Sequence, residues 1–231
     1  MSQSLIDAYQ SVKNRVKQAC LAANRPADSV TLLAVSKTKS IEDIKVIAEN
    51  GQHCFGENYL QESLLKIEQC PALEWHFIGP IQSNKTKPIA ENFAWVHSVD
   101  RLKIAQRLSH QRPDNLEALN ILLEVNISGE ESKAGFSPEE VLEIAPQIAL
   151  LPNLKLRGLM AIPQRATDKE AQRQPFALMS QLLESLNQQH PDWQLDTLSM
   201  GMSADLEAAI MEGATIVRIG TDIFGARDYS K

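Results

Sequence analysis

The strongest constraint on the fold of this 231-residue chain is a regular alternation of short apolar runs with amphipathic segments. The apolar runs are bounded by glycine, proline or polar turn residues, a pattern that predicts buried strands. Eight strands are expected in this way: Thr31–Ser36, His53–Phe55, Trp75–Ile78, Trp95–Val99, Ile121–Val125, Leu154–Ile162, Thr197–Ser199 and Ile216–Ile219.

Helical patterns lie between these strands, and most begin near a Ser, Asp or Asn that can act as an N-cap. Regular alternation of strand and helix implies parallel strands joined by right-handed crossovers. We therefore predict an α/β protein, a (β/α)8 TIM barrel that forms a single domain over residues 1–231. A doubly wound open sheet remains the alternative if the second or seventh strand is absent. The helices are expected at Ile41–Glu49, Tyr59–Ile67, Arg101–Gln111, Pro138–Leu150, Lys169–Gln189 and Ala204–Glu212.

The N-terminal segment predicts an extra helix before the barrel. Its apolar residues recur at steps of three and four, which is the spacing of one helix face. The segment lacks the continuous apolar stretch of a signal peptide, and its polar face carries both charges, so we expect the helix to pack on the core. The apolar face consists of Leu5, Tyr9, Val12, Val16 and Ala19.

Charge and cysteine content restrict the partners and the compartment. The formal net charge of -6 argues against a chain that binds nucleic acid or an anionic membrane. The cysteines Cys20, Cys54 and Cys70 are too few and too scattered for a disulfide framework. These observations favour a cytoplasmic protein that takes a small ligand in a local pocket, with no nucleic-acid or membrane partner.

Lys37 is the most unusual residue at a predicted strand end. In a β/α barrel the functional groups lie at the C-terminal ends of the strands. Strand alternation places Lys37 on the same face as Leu33 and Val35, which is the barrel interior. A lysine that is partly removed from water favours the neutral amine, which attacks carbonyl groups.

A phosphate site is predicted in the loops after the seventh and eighth strands, where such barrels commonly bind phosphate. Ser199, Ser203, Gly220 and Thr221 are the candidates. Ser203 precedes the expected helix Ala204–Glu212 and could cap it beside a bound anion. An ordinary helix cap with a turn glycine explains the same residues equally well.

Arg218 alternates with Val217 and Ile219, so it is expected to point into the mouth of the barrel. A buried guanidinium must find acceptors. A ring nitrogen or carbonyl of a ligand would serve, and so would a salt bridge to a glutamate such as Glu57. The sequence alone leaves both alternatives open.

A metal site is not predicted. His53, Cys54 and His76 have suitable ligand atoms, but His53 and Cys54 are neighbours on a strand and face opposite ways. We expect core or surface positions for all three.

Six motifs, which follow one another in order along the chain at the ends of predicted strands, identify a family. The chain resembles, along nearly its whole length, the pyridoxal phosphate homeostasis proteins of the YggS/PROSC type, whose fold is like the N-terminal barrel of alanine racemase. The motifs are Leu33–Thr38, Phe55–Tyr59 with Gln61 and Glu62, Trp75–Gly79, Gly158–Ile162, Ser199–Ser203 with Asp205, and Val217–Thr221 with Ile223–Gly225.

The resemblance implies the cofactor pyridoxal 5'-phosphate (PLP), held as a Schiff base on Lys37. It also implies a contact from Arg218 to the pyridine nitrogen, with Asn58 near the ring and Met160 among the cofactor-binding residues. The implied phosphate contacts are Ser199, Ser203, Gly220 and Thr221.

The function implied by the resemblance is non-enzymatic PLP binding in intracellular PLP homeostasis, with indirect effects on amino-acid and keto-acid metabolism. We expect a monomer that passes PLP to apo forms of PLP-dependent enzymes. The alternative is a small PLP-dependent amino-acid racemase, which needs a second acid/base group on the opposite face of the cofactor. Tyr9, Tyr59 and Tyr229 offer no clear candidate for that group, so no catalytic residue is predicted.

Overall fold

The computed structural model describes residues 2–130 and 133–226 and forms a closed barrel in which the strands follow one another in sequence order. Neighbouring strands pair in parallel throughout, and the last pairs with the first. The predicted barrel is confirmed, and closure excludes the doubly wound open sheet. The strands are β1 (Thr31–Val35), β2 (Cys54–Glu57), β3 (Glu74–Phe77), β4 (Trp95–Val99), β5 (Leu119–Glu124), β6 (Leu154–Met160), β7 (Thr197–Ser199) and β8 (Ile216–Ile219).

Helices connect the strands and surround the barrel. Within the described residues, the helices contain no stretch both long and apolar enough to cross a bilayer. The helices are α1 (Ser2–Ala22), α2 (Ile41–Glu49), α3 (Leu60–Gln69), α4 (Thr86–Asn92), α5 (Leu102–Gln111), α6 (Pro138–Ala149), α7 (Lys169–Gln189), α8 (Leu206–Met211) and α9 (Thr221–Phe224).

The structure corrects the prediction at three helices. The short helices α4 and α9 were not predicted, and α8 begins at Leu206 instead of Ala204. The proposed capping of α8 by Ser203 is wrong, because Asp205 occupies the N-cap position. The Asp205 carboxylate accepts a hydrogen bond from the Met202 N–H at 2.6 Å, which stabilises a turn before the helix.

The N-terminal helix α1 packs on the barrel as its apolar spacing predicts. Tyr9, Val12, Val16 and Ala19 are buried in the main hydrophobic core. The helix contacts α2, α8 and α9, which flank the first and last strands of the barrel. It therefore helps to hold β1 and β8 together where the barrel closes.

Strand alternation divides the core into two parts. The main cluster lies between the strands and the surrounding helices, and a smaller one consists of Trp95, Leu122 and Met160. Arg157 stacks on the Trp95 ring, 4.7 Å from its centroid, and forms a salt bridge to Asp196 at 2.7 Å. The small cluster is therefore covered by Arg157 on the side of Trp95, the first residue of β4.

Gly158 allows β6 and β7 to approach closely. Its φ is +155°, and a Cβ atom there would lie only 1.9 Å from the carbonyl oxygen of Thr197. Because that oxygen belongs to a paired strand, it cannot move without disrupting the barrel. An alanine side chain therefore cannot be accommodated by rotating a neighbour.

We expect Gly158→Ala to lower the free energy of unfolding by about 3 kcal/mol or more. Gly129→Ala is the control, because Gly129 has a φ of +65° and a Cβ atom added there would meet nothing within 4 Å. That control should lose only about 1 kcal/mol, the conformational cost of a left-handed alanine. Urea denaturation of both variants measures the difference, and equal losses would contradict the proposed clash.

Candidate functional site

A cavity of about 210 Å³ opens at the C-terminal ends of the strands. Its wall combines apolar side chains, such as Val35 and Ile78, with several cationic and polar groups. The structure brings together six of the eight residues predicted to bind cofactor: Lys37, Asn58, Ser203, Arg218, Gly220 and Thr221.

Lys37 reaches the cavity because the alternation of β1 continues past its last residue. The Ser36 N–H donates to the Gly56 carbonyl at 3.0 Å, which extends the pairing with β2 by one residue. Ser36 then faces outward, and Lys37 faces inward with Val35. The inward orientation predicted for Lys37 is thus confirmed.

A buried ion pair lies on the outer side of the same strand ends. The Glu57 carboxylate accepts from the Ser36 hydroxyl at 2.6 Å and from the Lys66 ammonium at 2.7 Å. Lys66 also donates to the Ser36 carbonyl at 2.8 Å. Burial raises the pKa of Glu57, and the neighbouring Lys66 opposes that rise. The pair therefore fixes the backbone directly before Lys37.

Backbone strain marks the residue directly after Lys37. Thr38 has a φ of +65°, a left-handed conformation that is unusual for a β-branched residue. Its N–H donates to the Glu62 carboxylate at 2.7 Å, and Glu62 also contacts Lys66. The cluster behind the barrel thus fixes the chain on both sides of Lys37.

Arg218 is buried below the cavity and points inward, as predicted. Its Nη1 donates to the Ser199 carbonyl at 2.6 Å and to the Ser199 hydroxyl at 2.7 Å, and its Nη2 donates to the Ala161 carbonyl at 2.9 Å. Burial lowers the pKa of Arg218 to about 10, so the guanidinium remains charged at neutral pH. The alternative salt bridge to Glu57 is wrong, because Glu57 pairs with Lys66.

Ser199 and Met160 are the two predicted site residues that do not line the cavity. Ser199 is fully buried, and its hydroxyl contacts Arg218 and His97. Met160 packs against Trp95 and Leu122. Both side chains occupy a layer of the barrel below the cavity floor.

Asn58 lines the cavity with an unsatisfied polar atom. Its side-chain oxygen is buried but has no hydrogen-bond partner among the described residues. A buried acceptor without a partner is costly, and a donor from a bound molecule would satisfy it. Such an acceptor is expected where a polar ligand binds.

Arg15 connects both predicted phosphate loops to α1, a role that sequence analysis missed. Its guanidinium donates to the Ser203 carbonyl at 2.9 Å and to the Asp222 carboxylate at 2.9 Å. It also pairs with Glu207 on α8. The hydrogen bond to Glu207 is the main reason that the pKa of Arg15 is raised. One side chain therefore holds the loops after β7 and β8 in place.

The cavity wall has more positive than negative groups. Lys39 and Arg165 line it in addition to Lys37 and Arg218, whereas Asp205 is the acidic residue of the lining. Lys39 donates to the carbonyls of Phe224 and Ala226 at 3.0 and 2.9 Å. A small anion would be favoured in this cavity.

Tyrosine side chains do not contribute to the cavity within the described residues. Tyr9 belongs to α1, is buried against the barrel and donates to Gln52 at 3.2 Å. Tyr59 is exposed just before α3. Tyr229 lies outside the residues that the structure describes.

A second polar cluster lies at the opposite end of the barrel. The ligand atoms of Cys54, Glu74 and His76 lie within 4.8 Å of one another, whereas His53 is exposed and directly precedes β2. Burial is the main reason that the pKa of Cys54 is raised to about 12. The thiol therefore stays protonated and donates to Glu74 at 3.4 Å. Glu74 is the member of this cluster that sequence analysis overlooked.

The fold and site define the class of the protein. The family described as alanine racemase, N-terminal domain, matches residues 9–228. Curated relatives named pyridoxal phosphate homeostasis protein include that of Pasteurella multocida, 53% identical with 100% of this chain and 99% of the relative covered. The relative from Pseudomonas aeruginosa is 58% identical, with 98% and 97% covered. The chain therefore belongs to the family of pyridoxal phosphate homeostasis proteins.

Solved structures agree with this assignment. The PipY structure from Synechococcus elongatus with PLP bound is 37% identical and has a TM-score of 0.78, with 90% of this chain and 98% of PipY covered. Alanine racemase from Corynebacterium glutamicum has a TM-score of 0.71 at 17% identity, with 96% of this chain and 61% of the racemase covered. The likeness to the racemase shows the fold alone.

We expect Lys66→Met to lower the free energy of unfolding by about 3–5 kcal/mol at neutral pH, because Glu57 is left buried without its cation. Loss of Lys66 raises the folded-state pKa of Glu57 further. A carboxyl with a raised folded pKa favours folding below its unfolded pKa and loses that contribution as pH rises. The deficit of Lys66→Met should therefore shrink as the pH is lowered toward about 4, near the unfolded pKa of glutamate.

Denaturation of wild type and Lys66→Met at several pH values measures this trend. The double variant Glu57→Gln with Lys66→Met is the matched control, since it removes both charges and keeps an acceptor for Ser36. It should recover much of the loss at neutral pH. A deficit independent of pH, or a double variant as unstable as Lys66→Met, would contradict the role given to the ion pair.

Proposed function

We propose that this protein binds PLP without enzymatic turnover, holds it as a Schiff base on Lys37, and acts in intracellular PLP homeostasis in the cytoplasm. The observation that carries the proposal is the convergence of Lys37 with Arg218 and the two phosphate loops in one cavity. The PLP-bound PipY structure, 37% identical to this chain, supports the choice of ligand.

The residues of the cavity fit each part of PLP. Bound PLP supplies an aldehyde that condenses with a primary amine. Lys37 is the amine proposed to form that bond, and Asn58 offers an unsatisfied acceptor near it. The first N–H groups of α9 have no carbonyl partner within that helix, so the backbone at Thr221 can donate to phosphate beside the Ser203 loop. Ser199 is fully buried beneath these loops and supports the site through its contacts with Arg218.

Arg218 suits a binding role better than a catalytic one. A guanidinium has only donors and stays charged, so toward a pyridine nitrogen it can donate only to the unprotonated form. It thereby disfavours protonation of the ring, which full electron withdrawal requires. The hydrogen bonds from Arg218 to the Ser199 and Ala161 carbonyls hold the guanidinium in one orientation, so its preference for an unprotonated ring nitrogen does not depend on side-chain motion.

The racemase alternative lacks support in the cavity. Two-base racemisation needs acid/base groups on both faces of the cofactor. Tyr9 and Tyr59 lie outside the cavity lining. We therefore favour a PLP carrier over a racemase, and we propose that it acts as a monomer whose effect on amino-acid and keto-acid metabolism is indirect, through apoenzymes that receive PLP.

Borohydride reduction of the PLP-loaded protein should fix the cofactor on Lys37, and peptide mass spectrometry locates the adduct. Lys37→Ala should lose the reducible link but retain a weaker PLP complex, because the phosphate loops are unchanged. Lys85→Ala is the control, since Lys85 is half-buried and lies outside the cavity. It should keep the adduct. A modified Lys39 or Lys85 in place of Lys37 would overturn the assignment.

Purified, PLP-loaded protein should not racemise or transaminate common amino acids at an enzymatic rate, because no tyrosine lines the described part of the cavity and its other acid/base groups are engaged. Lys39 donates to the Phe224 and Ala226 carbonyls, and Asp205 accepts from the Met202 N–H. Chiral chromatography of alanine incubations measures this. Lys37→Ala purified in the same way reports any contaminating racemase. A turnover on the order of one per second above that background would refute the non-enzymatic assignment.

A further inference from the structure

A continuous chain of hydrogen bonds crosses the inside of the barrel from its N-terminal end to Arg218. The Glu74 carboxylate lies 2.9 Å from His76 Nε2, and His76 Nδ1 lies 2.9 Å from His97 Nε2. His97 Nδ1 lies 2.8 Å from the Ser199 hydroxyl, which accepts from Arg218 at 2.7 Å. We call these five residues the core relay.

The core relay is enclosed by the barrel except at one end. His76, His97, Ser199 and Arg218 are all buried, whereas the Glu74 side chain is 46% exposed. The His76 ring also stacks on Trp95, with ring centroids 5.4 Å apart. The relay therefore begins at the solvent on the side of the barrel opposite the cavity and ends beneath the cavity floor.

The charges at the two ends set the direction of every hydrogen bond. The Arg218 guanidinium can only donate, so the Ser199 oxygen accepts from it, and the Ser199 hydrogen remains available to an unprotonated His97 Nδ1. His97 then donates through Nε2 to His76 Nδ1. His76 donates through Nε2 to Glu74, which as a carboxylate can only accept. When both histidines are neutral, each therefore carries its hydrogen on Nε2.

Burial keeps the histidines in this neutral state. It lowers the pKa of His76, and it lowers the pKa of His97 well below the usual value, with the nearby charge of Arg218 adding to the effect. The hydrogen bond from His76 lowers the pKa of Glu74, which favours the carboxylate. With both histidines neutral, the hydrogen bonds from Ser199 to Glu74 have one arrangement only.

The charged groups near Arg218 and near Glu74 favour the same direction of the hydrogen bonds in the core relay. Asp205 and Glu124 act on Arg218 and favour its charged form. Arg157 acts on Glu74 and favours its carboxylate, and the Cys54 thiol donates to the same carboxylate. The relay is therefore anchored by a cation at the cavity and an anion at the far end.

We infer that Glu74, His76 and His97 are positioning residues for the PLP site, which act through Ser199 to hold the Arg218 guanidinium in its orientation toward the cofactor. The inference rests on the proposed PLP-binding function. The relay keeps the Ser199 hydrogen away from Arg218, so the hydroxyl oxygen is always available as an acceptor. Retention of PLP is thereby sensitive to residues at the opposite end of the barrel.

Nitrogen-15 NMR of histidine-labelled protein without PLP tests the relay itself. We expect His76 and His97 to be neutral Nε2–H tautomers at neutral pH. A protonated ring, or hydrogen on Nδ1 of either residue, would overturn the proposed polarity. This measurement does not depend on whether the protein binds PLP.

Two substitutions at His97 separate the halves of the relay. In His97→Asn the amide lies near the former Nδ1 and can still accept from Ser199, whereas in His97→Gln it lies near the former Nε2 and leaves Ser199 without its acceptor. We expect PLP affinity to fall about tenfold in His97→Gln, as for loss of one hydrogen bond, and to stay within about twofold of wild type in His97→Asn. His53→Asn, at an exposed histidine, is the control and should match wild type.

Affinity is measured by equilibrium dialysis with PLP, and folding of each variant by circular dichroism. Equal affinities in His97→Asn and His97→Gln would overturn the inference while leaving PLP binding itself intact. Wild type that fails to bind PLP would instead overturn the proposed function. These two failures are therefore distinguishable.

Variants of Glu74 keep the inference testable if the buried substitutions do not fold. Glu74→Gln retains an acceptor for His76, and Glu74→Leu removes it at a half-exposed position. We expect a weaker PLP complex and a changed His76 nitrogen spectrum in Glu74→Leu, with both largely restored in Glu74→Gln. An unchanged His76 spectrum and unchanged PLP affinity in Glu74→Leu would refute long-range positioning.

Discussion

Closure of the parallel barrel turns the two-residue alternation of each strand into an inside and an outside, and it brings all eight strand ends to one ring. Side chains of one parity pack against the helices, and those of the other parity fill the interior. Lys37 follows two inward residues of β1, and Arg218 belongs to β8, which pairs with β1. Because the first and last strands are neighbours, residues about 180 positions apart meet in one cavity. The site is thus a consequence of closure.

The interior of this barrel carries charges, and their cost explains the contacts around them. A buried ion is stable only when its hydrogen-bonding groups are satisfied. Glu57 and Lys66 form such a pair behind Lys37, and Arg218 is held by carbonyl groups of neighbouring strands. Asn58 differs, since its buried oxygen at the cavity has no partner among the described residues. Glu57 Oε2 also lacks a partner among the described residues, but it lies behind the strands, whereas the Asn58 oxygen belongs to a residue of the cavity lining, where a ligand can reach it.

Sequence patterns predicted which way side chains face but not how deep they lie. Alternation correctly predicted that Lys37 and Arg218 face the barrel interior, because the face on which a side chain lies depends only on its position within its own strand. Ser199 shares the interior with Arg218, yet its depth depends on strand stagger, which is set by pairing between strands distant in sequence. Arg15 was overlooked for the same reason: its partners Ser203 and Asp222 are brought to it only by the closed barrel. Helix α4 was missed because it is short and contains Pro88.

Two networks support the site: an ion pair behind the strands and the core relay inside the barrel. The ion pair of Glu57 and Lys66 lies outside the strands and constrains backbone, since it fixes Ser36 on one side of Lys37 while Glu62 fixes Thr38 on the other. The core relay lies inside the barrel and orients a single guanidinium. A PLP site needs its lysine and its anion-binding groups in fixed geometry. Both networks remove freedom from protons and backbone, so each presents its cationic group to the cavity in one orientation.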